Sequence, residues 1–295
     1  MPCRLFCIVF VSLFSVASLR AEETLTIPPF ADIPTPGHRA AVITPEYAGT
    51  EVHHLVYLPP DWTSDWQQRG KSWPIIVEYT GNKFPAAGST GTVEGAGLGY
   101  GISQGKFIWV VLPYINQPGT ANEVTWWGDQ QSTVDYAKRN VPRICKQFGG
   151  DADKVLLCGF SRGAIAVNYI GLADDDIAQL WCGFFAHDHY DGVREWRGTD
   201  WGSPLEPYQQ SATERLRRLG DRPVFISHNG GVEATRQFLE PRIPLDHVTF
   251  LDPKTSEILG AFPNDTAIHP HNDRWLLVPS LAREQVHAWA ELALE

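Results

Sequence analysis

The stretch KVLLCGFSRGAIAVNYIGL, residues 154–172, sets a lone serine between two glycines at the seam of two apolar runs. Val155-Leu156-Leu157-Cys158 is a short unbroken apolar run, as a strand buried on two faces should be. Behind the serine, Ala164, Ile165, Ala166, Val167, Tyr169 and Ile170 continue in helical style for about two turns. A strand-to-helix turn this tight forces its central residue into strained backbone angles, and the flanking glycines remove the side chains that would clash. Gly159-Phe160-Ser161-Arg162-Gly163 fits G-x-S-x-G in the context that chemistry demands. Ser161 is therefore read as a nucleophile at the carboxyl edge of a sheet rather than as a mere helix cap. The backbone N–H of Arg162 then points where an oxyanion would form.

A serine hydroxyl needs an adjacent base to attack at neutral pH. The order Ser, acid, His restricts the base to histidines near the C-terminus. AIHPHNDRWLLVP offers His269 and His271 in a polar loop before the last helix. His271 is the expected base and His269 the alternative; His287, on the final helix, reads as solvated or packed. The acid should follow a later strand. PVFISHNGGVEATRQF supplies a strand, a glycine turn at Gly230-Gly231 and then Glu233, the expected carboxylate. Asp188 and Asp191, just past the preceding strand, are held in reserve, with Asp246 and Asp252 behind them. A second oxyanion donor is expected after PIIVEY, where Gly81 lets the backbone approach and Asn82 offers its N–H.

Elsewhere, short β-rich runs alternate with helical patterns, the signature of a mostly parallel sheet covered on both faces. Strands are expected at residues 53–58, 74–79, 107–113, 154–158, 180–186, 223–227 and 246–251. Helices are expected at 132–148, capped by Ser132, and at 164–172, 211–219 and 279–294. Residues 22–50, with five prolines, read as an extended lead-in to one catalytic domain over 51–295. The stretches 81–105 and 188–208 read as long irregular loops of functional type.

The strand–GFSRGA–helix arrangement, a late acid and a histidine loop before a terminal helix together resemble the α/β-hydrolase superfamily. The likeness covers roughly residues 50–294. Among its branches the chain resembles secreted esterases of the polyhydroxybutyrate-depolymerase and feruloyl-esterase kind, and prolyl-oligopeptidase-type catalytic domains. The resemblance implies an α/β-hydrolase fold, a Ser161–His271–Glu233 triad and hydrolysis of carboxylic esters through an acyl-enzyme. A peptidase or amidase with the same triad is the alternative. Less favoured are a metallohydrolase and a non-catalytic carbohydrate-binding protein. No cofactor is implied.

The N-terminus MPCRLFCIVFVSLFSVASLRAEE has an apolar core of about 13 residues after Arg4, too short for the ~20 that span a bilayer. It reads as a secretion signal over residues 1–21, leaving no stable membrane anchor and a periplasmic or extracellular protein. Its removal moves the formal charge from −10 to −12, which disfavours nucleic acid as a partner. Three cysteines remain, Cys145, Cys158 and Cys182, too few for a disulfide framework.

Two H-x-H pairs, His187/His189 and His269/His271, have the spacing of zinc ligands. The serine motif already accounts for one, and no metal site is expected. Eleven tryptophans are present. Most should be packed, but Trp126, Trp127, Trp196 and Trp201 are candidates to contact a small-molecule or polysaccharide-linked ester.

Overall fold

A computed structural model describes residues 23–260 and 269–295; the leader read at residues 1–21 lies outside the described residues. Eight strands form one sheet: β1 (Arg39–Val42), β2 (His54–Tyr57), β3 (Trp73–Tyr79), β4 (Ile108–Leu112), β5 (Gly150–Phe160), β6 (Gly183–His187), β7 (Val224–Ser227) and β8 (Val248–Leu251). Their order across the sheet is β1-β2-β4-β3-β5-β6-β7-β8. Only the pairings that involve β2 are antiparallel. The central strands β3, β4 and β5 are apolar on both faces because helices cover both.

The helices are α1 (Leu98–Ser103), α2 (Gln130–Phe148), α3 (Arg162–Tyr169), α4 (Asp175–Ala178), α5 (Leu205–Leu216), α6 (Glu233–Leu239), α7 (Thr255–Leu259) and α8 (Leu281–Ala293). Alternation along each strand splits the core in two. Ile75, Val77 and Val110 pack with α2, α3 and α5. Ile76, Trp109 and Val111 pack with α1 and α8 through Leu98, Ile102, Val286 and Trp289.

Two local expectations are corrected. Asp129, not Ser132, caps α2: its carboxylate accepts the N–H of Ser132 at 2.7 Å, so the helix begins two residues earlier. The proline-rich lead-in contributes β1, an edge strand that pairs with β2 and bridges Phe30 through Arg39, where proline is tolerated nearby.

The start of α1 is set from another element. Glu78 on β3 is wholly buried, and its carboxylate accepts the N–H of Gly99 at 2.8 Å and the indole N–H of Trp109 at 2.9 Å. The N–H groups of Gly97 and Leu98 lie 3.3 Å away. A carboxyl group thereby meets the orphan donors of a short helix that has no capping side chain of its own. Burial, and then the nearby Asp273, push the Glu78 carboxyl up to about 8 against these donors.

Candidate active site

Ser161 sits between β5 and α3 with φ 56° and ψ −116°, a conformation that L-residues rarely adopt. Both glycines of the motif are sterically required. A Cβ on Gly159 would collide with the backbone of Gly163, and one on Gly163 with the carbonyl of Tyr79. The elbow is pinned across the sheet, because the N–H of Ser161 donates to the carbonyl of His187 at 2.9 Å.

That pairing decides the acid. β5 and β6 stay in register up to Phe160 and His187, so the next residue, Asp188, emerges beside Ser161. Its φ of 66°, tolerable for aspartate, turns the chain there. His271 completes the set: its Nε2 lies 2.9 Å from Ser161 Oγ and its Nδ1 3.0 Å from Asp188 Oδ2. Asp188 Oδ1 accepts the N–H of Asn229 at 2.6 Å. Burial alone would raise the Asp188 carboxyl, but His187, His271 and this N–H hold it down at about 2. An ionised carboxylate only accepts, so Nδ1 of His271 carries the proton and Nε2 offers its lone pair to the serine hydroxyl.

The carboxylate in contact with His271 is therefore Asp188, where Glu233 was expected. Glu233 stands exposed at the start of α6, beyond the left-handed turn at Gly230 and Gly231, and accepts from Gln237 at 2.9 Å. Asp191 is buried in a bidentate pair with Arg215, at 2.7 and 3.0 Å. Asp252 pairs with Lys254, and Asp246 is exposed. His269 is exposed, and its Nδ1 accepts the N–H of His271.

Gly81 lies against the nucleophile: a Cβ placed on it would stand 3.3 Å from Ser161 Cβ. The loop therefore brings the N–H of Asn82, which has no acceptor among the described residues, alongside Ser161. The N–H of Arg162 opens α3, where no intrahelical acceptor exists. The side chain of Arg162 contacts no carboxylate among the described residues. It is wholly buried, with its guanidinium 3.9 Å from the centre of the Tyr114 ring.

His187 is buried at the same strand end, its Nδ1 2.9 Å from Ser227 Oγ and its Nε2 3.1 Å from Trp275 Nε1. Burial lowers its pKa from the ordinary imidazole value. Among the described residues no group of three or more His, Cys, Asp or Glu side chains is arranged to hold a metal ion.

No protein-family model matches the chain, and no curated protein matches it in sequence. Solved structures do resemble it. A sugar hydrolase from Lactococcus lactis is 13% identical over 86% of this chain and 98% of its own, with a TM-score of 0.55. Esterase Est22 is 16% identical over 87% and 80%, also at 0.55. The AtxE2 isopeptidase is 14% identical over 87% of this chain, at 0.53; the chain spans only 40% of that protein's length. The chain has the α/β-hydrolase fold.

Within this α/β-hydrolase architecture, aromatic rings wall the cluster of Ser161, His271 and Asp188. Phe160 is a floor for His271, ring centres 4.7 Å apart. Phe84, exposed on the loop after Asn82, stands edge-on to His271 at 6.4 Å and to His269 at 5.8 Å. His189 lies 5.4 Å from His271 and 4.9 Å from Trp196, and burial lowers it to about 3. Phe84 does not announce itself in sequence, since its place depends on loop geometry, whereas His189 belongs to the first of the two H-x-H pairs. Of the four tryptophans, Trp126, Trp196 and Trp201 are half-buried beside one another, whereas Trp127 is buried and stacked on Tyr169.

Proposed function

We propose that this α/β-hydrolase is a serine hydrolase that cleaves carboxylic esters. One observation carries the reading: His271 bridges Ser161 and Asp188 at 2.9 and 3.0 Å, with the serine on a strained elbow. Ser161 Oγ attacks the ester carbonyl carbon while Nε2 of His271 takes its proton. The negative oxygen of the tetrahedral intermediate accepts from the N–H groups of Arg162 and Asn82. Nε2–H then protonates the leaving alkoxide, and the C–O bond breaks to give the acyl-serine. Water, deprotonated by His271, attacks the acyl carbon and releases the acid. Asp188 stays ionised, fixing the tautomer and stabilising the imidazolium.

Ester substrates are in line with the likeness to a solved esterase, and amides are the alternative in line with the likeness to a solved isopeptidase. Turnover of a nitrophenyl ester series, but not of the matching peptide nitroanilides, tests that preference. Hydrolysis of the anilides at comparable kcat/KM reverses it. The reading includes a small-molecule or polysaccharide-linked ester as substrate. It also includes export directed by the apolar leader. N-terminal sequencing of the protein from the medium or periplasm should begin near residue 22, and an intact Met1 there contradicts export by cleavage.

A further inference from the structure

Trp126 has φ 52°, a conformation that costs a bulky residue energy. Both sides of the residue are held by the loops that carry the oxyanion donors. Its N–H donates to the Asn82 side-chain carbonyl at 2.7 Å, and its own carbonyl accepts from Arg162 at 2.6 Å. The indole is thus fixed to the catalytic machinery while remaining half-open. It meets Trp201 edge-on, ring centres 5.0 Å apart. With Trp127 and Tyr169 as a floor, these rings wall a recess of about 660 Å³, within the ~300–1,000 Å³ of small-molecule sites.

The polar groups of that recess are incompletely paired, as donors and as acceptors: the indole N–H groups of Trp127 and Trp201 have no partner among the described residues. Gln117 commits its amide N–H to the carbonyl of Gly128 at 2.7 Å, and Gln130 makes a long contact of 3.5 Å to that of Tyr169. Their amide oxygens, and the exposed carboxylate of Asp200, receive no hydrogen bond from the described residues. An occupant that satisfies these groups brings hydroxyls, which donate and accept, and a flat apolar face for the indoles. A bare aryl ring lacks the donors, and an anionic sugar is repelled by Asp200 and by the formal charge of −10. A neutral pyranose supplies both, hydroxyls at its rim and C–H groups on its face.

We propose that this recess is a subsite for a neutral glycosyl ring of the substrate. It lies at the outer end of an aromatic run, Trp126–Trp196–His189–His271, whose ring centres are 5.1, 4.9 and 5.4 Å apart. The placement of that sugar within an ester substrate rests on the hydrolase reading; the binding does not.

The test is calorimetric titration of the Ser161→Ala protein with neutral cello-, xylo- and manno-tetraose, and with tetragalacturonate. At least one neutral tetraose should bind with a millimolar or lower Kd, and tetragalacturonate at least tenfold more weakly. Trp201→Ala in that background should weaken binding tenfold or more. Asp200→Ala, at an exposed position that leaves the core untouched, should weaken it at least threefold. Failure of every neutral tetraose, or equal binding of the uronate, overturns the subsite. Ester turnover without sugar binding sinks the subsite and spares the hydrolase reading. Sugar binding by a wild type that cleaves no ester does the reverse.

Discussion

The guanidinium of Arg162 donates to the carbonyls of Trp126 at 2.6 Å and Gly81 at 2.9 Å, with no carboxylate in contact among the described residues. Burial lowers its pKa to about 10, so it is a buried cation at neutral pH, solvated by carbonyl dipoles and the Tyr114 ring. It ties the residue after the nucleophile to the loop that carries Asn82. Arg162→Ala strands these carbonyls at ~1–3 kcal/mol each. It should lower unfolding stability by about 3 kcal/mol and, by loosening one oxyanion donor, reduce kcat ~100-fold or more. Arg162→Lys should recover only part of either, since an ammonium lacks the fork. Urea unfolding and ester kinetics check both; a kcat within twofold of wild type contradicts the coupling.

Asp188 and Glu233 separate cleanly by mutation. Asp188→Asn presents the wrong hydrogen-bonding group to Nδ1 of His271 and should lower kcat by ~10⁴. Glu233→Gln, on an exposed helix start, should stay within twofold of wild type. Steady-state kinetics on one nitrophenyl ester distinguish them, and the reverse outcome would restore Glu233.

Glu78 holds three backbone N–H groups and an indole in the core. Glu78→Ala leaves them without their acceptor and should cost about 3 kcal/mol or more. Because its pKa in the folded chain is raised to about 8, the folded state holds a proton that the unfolded state has released. The Glu78 contribution to stability should therefore fall as pH rises from ~4.5 towards 8, so the margin of wild type over Glu78→Ala should shrink across that range. Urea midpoints of both proteins at pH 5, 6.5 and 8 measure it; a margin that does not shrink contradicts the assignment.

Buried histidines act with the opposite sign. Burial lowers His54 to about 3, and His189 likewise. Between ~6.5 and 3 the unfolded chain binds protons that these folded imidazoles refuse, so stability is lost as pH falls. For His54, whose Nδ1 faces the Tyr136 hydroxyl at 2.7 Å, the loss at pH 5 is about 2 kcal/mol. His54→Asn should flatten the acid limb between pH 7 and 5 by that amount, read from urea midpoints. An acid limb as steep as wild type counts against it.

The legibility of this site in sequence follows the range of the forces involved. Ser161 and its glycines are specified within five residues, because the collisions that require Gly159 and Gly163 are local to the elbow. His271 could be narrowed to one loop by chain order. Asp188 could not be ranked above Glu233, because its place depends on β5 and β6 running in register to Phe160 and His187, a contact between distant segments. The same holds for α1, whose start is fixed by Glu78 on β3, and for β1, whose partner β2 makes it a strand. The tryptophans were visible as a composition, but their division into buried Trp127 and half-open Trp126, Trp196 and Trp201 is a property of packing.

The central claim is that Ser161 is activated by His271. The most direct measurement is the rate and site of phosphonylation by a fluorophosphonate, read by peptide mass spectrometry in wild type, Ser161→Ala and His271→Ala. The account expects one adduct, on the peptide containing Ser161. It should be absent from Ser161→Ala and form at least a thousandfold more slowly in His271→Ala. An adduct on another residue, or a rate unaffected by His271→Ala, contradicts it.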